Sequence, residues 1–314
     1  MTPATFDITD MSALEPQALA SELANLPGWP FGPIRLDRVD DGITNVNYFA
    51  HTADGVVFLK VPGPGTRAFI NWDVSTEATR CAAEQGVGPE LLYYDATSGV
   101  QATRFLDGYR SAGAADFADL DRVSEIFDLY RRLHAGPLLS TTKTVFDMID
   151  EHRGQLEGAS VTLEPYQREV LDRWDTVQAA YVDAGLDLVP GHNDFNPPNY
   201  MFGPDGDLKL IDYDYAANTD RYYEIGGILT LFGYPQSVEH GLISAYLGTE
   251  PNPGELARIH LSGIGAAVKW GLWGLYNAAV RDVDFDYDKY GAGMLAPAHH
   301  WLKSDRAAWA MKQL

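Results

Sequence analysis

His192-Asn193-Asp194-Phe195-Asn196-Pro197-Pro198-Asn199 is followed, after one hairpin, by Ile211-Asp212-Tyr213-Asp214. The hairpin is legible in residues 200–203 and 208–213, turned by Gly203-Pro204-Asp205-Gly206-Asp207. A hairpin returns the chain to where it started, so its two flanking loops meet. Asp194, Asn199 and Asp212 then converge on one point. Two carboxylates and an amide are hard oxygen donors, suited to Mg²⁺ and a phosphorylated nucleotide. Singly, each of these residues is an ordinary turn cap. Together, in this order, they indicate chemistry.

The order matches the logic of kinase catalytic loops. There an Asp positions the attacking hydroxyl, an Asn five residues on binds metal, and a later Asp binds metal. Upstream the chain is β-rich. Residues 46–50 (VNYFA) and 56–61 (VVFLKV), separated by HTADG, predict a hairpin ended by PGPG at 62–65. A helix is expected over 75–85, stopped by Gly86 and Gly88, then strands over 90–94 and 100–106. Lys60 lies near the end of the second strand of that hairpin. A lysine there reaches the α- and β-phosphates of ATP and needs an acidic partner on the following helix. Glu77 is the natural one and Glu84 its rival.

Beyond Asp107-Gly108 the pattern is helical. Leu120, Val123, Phe127, Tyr130 and Leu133 recur at helical spacing, a further helix is read over 164–184, and 259–280 reads as a buried helix. That last segment contains Lys269-Trp270-Gly271-Leu272-Trp273-Gly274. Tryptophans three apart are neighbours on a helix, and the glycines beside them are expected to leave the aromatic faces open. Aromatic faces bind quaternary ammonium groups; aromatic core packing is the alternative. Gly63-Pro64-Gly65 lacks the third glycine of a dinucleotide loop, and without a Gly-Lys pair there is no Walker A loop.

The catalytic block resembles the aminoglycoside phosphotransferase and choline/ethanolamine kinase superfamily, whose fold is like that of protein kinases. The H-N-D opening and the I-D-Y-D-Y-A stretch look more like choline kinases. The resemblance covers about residues 38–300. It implies Asp194 as catalytic base, His192 as a brace for its loop, and Asn199 and Asp212 on Mg²⁺. It implies a phosphate-covering loop at Asp41-Gly42-Ile43-Thr44-Asn45, with Gly42, Thr44 and Asn45 on the nucleotide. It also implies a choline-facing cage from Trp270 and Trp273, closed by Tyr287 or Tyr290. Asp214 is grouped with these acceptor residues, at a position where eukaryotic choline kinases usually carry Glu. Tyr223-Glu224-Ile225-Gly226-Gly227 replaces an Asp-containing stretch, which looks more like the bacterial branch.

Composition agrees with a globular enzyme. In 314 residues, 44 acidic side chains outnumber 23 basic ones, for a net charge of −21. A nucleic-acid-coating role is disfavoured, and an acidic surface suits cationic small molecules or simple solubility. Cys81 is the only cysteine, which excludes an internal disulfide and a cysteine-rich zinc site. The acidic N-terminus does not read as a signal peptide, and no segment reads as a membrane span. The expectation is a cytoplasmic α+β protein of two lobes: a β-rich N-lobe over 1–107 and a helical C-lobe over 108–314. ATP is expected between the lobes, under a hinge near residues 103–107, with a small cationic alcohol as acceptor. An ethanolamine kinase, an antibiotic kinase and a non-catalytic nucleotide-binding protein are the alternatives.

Overall fold

The computed structural model describes residues 11–39, 45–63, 66–68, 70–281 and 284–314. In chain order its first elements are α1 (Pro16–Leu23), β1 (Arg35–Val39), β2 (Asn45–Thr52), β3 (Gly55–Pro62), α2 (Trp72–Glu84), β4 (Leu91–Tyr94), β5 (Gln101–Arg104) and β6 (Arg110–Ser111). Next come α3 (Ala114–Ala118), α4 (Leu120–His134), α5 (Val145–Gly158), α6 (Pro165–Asp183), β7 (Leu188–Gly191), β8 (Tyr200–Phe202), β9 (Leu208–Leu210) and β10 (Ala217–Asp220). The chain ends in α7 (Tyr222–Phe232), α8 (Gln236–Leu247), α9 (Pro253–Val280), α10 (Tyr287–Trp301) and α11 (Asp305–Ala310). No helix among the described residues is long and apolar enough to cross a membrane.

These elements form two compact units. One comprises residues 1–112 and 198–216, the other 113–197 and 217–314. The expected lobes broke at 107/108 and kept the β8–β9 hairpin with the helices. By its contacts the hairpin belongs to the first unit: β8 pairs with β6, and the Leu210 N–H donates to the Val87 carbonyl at 2.7 Å.

The first unit is built on a five-stranded antiparallel sheet, ordered β1-β2-β3-β5-β4. Alternation decides what each face does. Val57, Leu59 and Val61 of β3 turn inward with Tyr48, Ala50 and Ala102, and Leu19 and Leu23 of α1 close that core. Lys60, between Leu59 and Val61, must therefore point to the other face. There it stands in register with Gln101, whose amide donates to Thr76 and Thr79 of α2 at 3.4 Å each. The helix that follows the lysine strand thus covers the lysine's own face. It begins at Trp72, earlier than the periodicity suggests, because Asn71 caps it by accepting from the Val74 N–H.

The second unit is helical around α9, which is buried along most of its length and packs against α5, α6, α7, α10 and α11. A helix apolar on every side needs neighbours on every side. It starts at Pro253, ahead of the expected 259, with Asn252 and Glu255 forming a capping box. A Cβ on Gly271 would strike the Leu295 side chain, and one on Gly274 the Gly291 backbone. These glycines do not leave the tryptophan faces open, as the sequence suggested. They let α10 approach α9 at close range.

Candidate active site

The residues expected to do chemistry form two clusters, one within each unit. In the first, the Lys60 ammonium donates to Asp212 Oδ1 at 2.5 Å and to Asp214 Oδ1 at 2.9 Å. Asp214 also accepts from the Asn45 amide at 2.6 Å and from the Ser75 hydroxyl at 3.4 Å. Lys60 and Asp214 are largely buried, at 13% and 6% side-chain exposure, while Asp212 is 41% exposed. Burial pulls the Lys60 ammonium down, but the carboxylates of Asp212 and then Asp214 outweigh it and hold the lysine above its ordinary range. For Asp214 burial dominates and pushes the carboxyl up; Lys60 opposes that, and the Asp212 charge adds to it.

One cation faces two carboxylates, so the cluster keeps an excess negative charge beside an exposed aspartate. Asn199 stands next to it in the fold, because the Ile211 N–H donates to the Asn199 carbonyl at 2.9 Å where the hairpin closes. Two aspartates and an asparagine fit Mg²⁺, which takes few protein ligands and completes its shell with water and phosphate. Among the described residues no three His, Cys, Asp or Glu side chains gather as a denser metal site.

The second cluster is the loop after β7. His192 and Asn193 are fully buried, and Glu224 of α7, 0% exposed, holds both. Its Oε1 accepts from the His192 N–H at 3.1 Å and the Asn193 N–H at 2.7 Å. Its Oε2 pairs with His134 Nε2 at 2.8 Å, and His134 Nδ1 lies 2.7 Å from the Tyr246 hydroxyl. A carboxylate only accepts, so His134 donates to Glu224 through Nε2. The Asp194 N–H donates to His192 Nδ1 at 3.2 Å, leaving the half-buried Asp194 side chain at the loop's surface.

From this loop an aromatic chain leads into α9 and α10. Phe195 meets the backbone of Gly227, where a Cβ would collide with its ring, and packs edge-on against Tyr223 at 5.7 Å and Trp270 at 6.3 Å. Trp270 meets Trp273 at 5.5 Å, and Trp273 meets Tyr287 at 5.4 Å and Tyr290 at 5.8 Å. Three non-glycine residues among those described have left-handed backbone. Ser160 ends α5; Asn193 (φ +65°) and Asp212 (φ +68°) are in the two clusters, one each. Such conformations cost of order 1–3 kcal/mol and persist where surrounding bonds impose them.

The model of the phosphotransferase enzyme family matches residues 35–258, which spans both clusters. The chain belongs to that family.

The chain is similar to protein LicA of Haemophilus influenzae, 25% identical over 193 residues, covering 60% of this chain and 56% of that one. It is 23% identical to human ethanolamine kinase 1 over 309 residues, covering 84% of this chain and 66% of the relative. The chain thus spans somewhat over half the length of LicA and about two thirds of the human protein. Among solved structures, the choline/ethanolamine kinase family protein of Mesorhizobium loti aligns with a TM-score of 0.79 at 25% identity, covering 95% of this chain and 98% of that one. The fold is the protein-kinase-like phosphotransferase fold that the catalytic block suggested.

Within the chain, several expected residues fall elsewhere. Lys60 was expected on Glu77 or Glu84; the carboxylates at its ammonium are Asp212 and Asp214, brought from the far side of the hairpin. Glu77 is half-buried on α2, and Glu84 is exposed at its end. Asp214, grouped with the acceptor residues, belongs by its bonds to the lysine cluster instead. Gly42 and Thr44 lie outside the described residues; Asn45 is at Asp214. The sequence reading passed over Glu224, His134 and Lys269. A signal existed for two of them: Glu224 in YYEIGGIL and Lys269 in AAVKWG are single charges inside apolar helix, which persist only with a buried partner or a task.

Proposed function

We propose that this phosphotransferase moves the γ-phosphoryl group of ATP to the hydroxyl of a small cationic amino alcohol, choline first among them. The Lys60–Asp212–Asp214 cluster carries this reading: a buried cation between two carboxylates, with a metal-suited amide at the same hairpin. Lys60 holds the α- and β-phosphates, and Asn45, with Gly42 and Thr44 of the same sequence motif, serves the nucleotide. Asn199 and Asp212 hold Mg²⁺, which when bound shields the charge on the phosphate oxygens. The first unit is then the nucleotide lobe and the second the acceptor lobe.

Asp194 orients the acceptor and takes its hydroxyl proton. The alcohol oxygen bonds to the γ-phosphorus as the bond from that phosphorus to the β-phosphate's bridging oxygen breaks, and ADP leaves. His192 keeps Asp194 in place through the Asp194 N–H. Trp273, Trp270, Tyr287 and Tyr290 take the ammonium by cation–π attraction. Ethanolamine is the second reading. One face of Trp270 already carries the Lys269 ammonium, which leaves fewer faces for a trimethylated nitrogen. ATP as donor fits a cytoplasmic enzyme. The test is ADP release with Mg²⁺ and a panel of choline, ethanolamine, sugars and aminoglycosides. Turnover confined to sugars or aminoglycosides removes the amino-alcohol reading, and no turnover with any alcohol removes the kinase reading.

A further inference from the structure

Lys269 has no part in the reaction just described, yet it is only 1% exposed. Its ammonium lies 2.9 Å from the centre of the Trp270 ring. That ring packs edge-on with both Phe195 of the proposed catalytic loop and Trp273. A π-face already engaged by one cation is not available to a second, and a cation on the neighbouring ring is repelled through a medium of low dielectric. We propose that Lys269 is a specificity-determining residue of the acceptor pocket, whose positive charge on the Trp270 face weakens the binding of cationic acceptors to the adjoining aromatic rings. This rests on the reading that those rings receive the acceptor's ammonium.

The charge is adjustable. Burial pulls the Lys269 ammonium down to about 7, opposed by the nearby Asp194 carboxylate, with Lys143 lowering it further and Glu151 raising it. A change in the pocket's charge across neutral pH needs a group that titrates there. His152 of α5 is brought to about 4 by burial and then by Lys269, so it stays neutral there. Tyr223 and Tyr290 are pushed up by burial and then by the charges of Glu224 and Asp194 respectively, so their phenols stay neutral too. Lys269 is therefore the group of this set that changes charge near pH 7: positive below, neutral above. Cationic acceptors are held more weakly in acid and more tightly in mild base.

Calorimetric titration of choline into the whole protein at about pH 6 and about pH 8.5 reads this directly. The wild-type dissociation constant is expected to fall on the order of tenfold between those pH values. Lys269→Met, close in length and uncharged, should bind tightly at both. Lys269→Arg, charged throughout, should bind weakly at both. A wild-type affinity flat with pH overturns the proposal without any variant having to fold. So does a Lys269→Met protein, shown folded by its melting curve, that keeps the wild-type pH dependence. If choline binds and is phosphorylated but the lysine has no effect, this inference alone falls. If choline neither binds nor turns over in any of the three proteins, the acceptor reading falls and takes this inference with it.

Discussion

Lys60 and Lys269 are both buried lysines, and their surroundings push them in opposite directions. Lys60 sits between two carboxylates and is held above its ordinary range. Lys269 sits on an indole face, where burial outweighs the Asp194 and Glu151 carboxylates, and drops to about 7. Burial opposes the charge equally in kind at both sites; the number and distance of partners decide the outcome. A lysine of the first sort is a fixed charge, which suits the phosphate-holding role proposed for Lys60. One of the second sort is a charge that neutral pH can remove.

The contrast is sharpest in stability. Lys60→Met leaves Asp214 buried beside Asp212 without a counter-charge. It should cost about 3 kcal/mol in denaturant unfolding at neutral pH, less in acid, where Asp214 can take a proton. Wild-type stability in that variant would mean the cluster is looser than its geometry. Asp212→Ala should be tolerated far better, since Lys60 keeps Asp214. It should instead abolish the melting-temperature gain from Mg·ADP, worth about 2.7 kcal/mol at a hundredfold excess over Kd. An unchanged gain would move the metal away from Asp212.

Asp194→Asn keeps the loop's shape and removes the carboxylate, so kcat should fall by roughly 10² or more while ATP affinity holds. Near-full turnover would end its assignment as base. Trp273→Leu deletes an aromatic face that carries no cation–π contact like that of Lys269 on Trp270 among the described residues, so acceptor KM should rise by an order of magnitude or more, with ATP KM unmoved. Trp270→Leu should cost less acceptor affinity, because Lys269 already occupies one of its faces. Equal effects would erase that distinction between the two tryptophans.

The smallest expected effect is the mirror of the first. Lys269→Met should raise stability by about 1 kcal/mol below pH 7, because it removes a buried charge that the fold opposes. The sign follows from linkage. Between about 7 and the ordinary 10.5 the unfolded lysine binds a proton that the folded one does not, so wild-type stability rises with pH over that window. The variant's advantage should shrink across the same range. A constant difference would mean that Lys269 does not titrate in the folded protein.

The amino-acid sequence by itself determined the local features of this protein. The β-rich run of residues 56–61 makes a strand, and the strand's alternation puts Lys60 opposite Leu59 and Val61. The GPDGD turn makes the hairpin that draws Asn199 and Asp212 together, and the His192–Asn199 block carries its chemistry in its own spacing. Only the tertiary structure decided the partners. Lys60 meets carboxylates 152 and 154 residues away, so a search confined to the next helix offered Glu77 or Glu84. Glu224 reaches the loop after β7 because Gly226 and Gly227 let α9 and Phe195 approach α7 closely. Likewise Gly271 and Gly274 read as gaps in a sequence and as contacts in the fold, since a missing side chain says that something lies near without saying what. Burial and counter-charge are sums over neighbours distant in the chain. For that reason two lysines, each written into an apolar stretch, became a fixed charge in one place and a titratable one in the other.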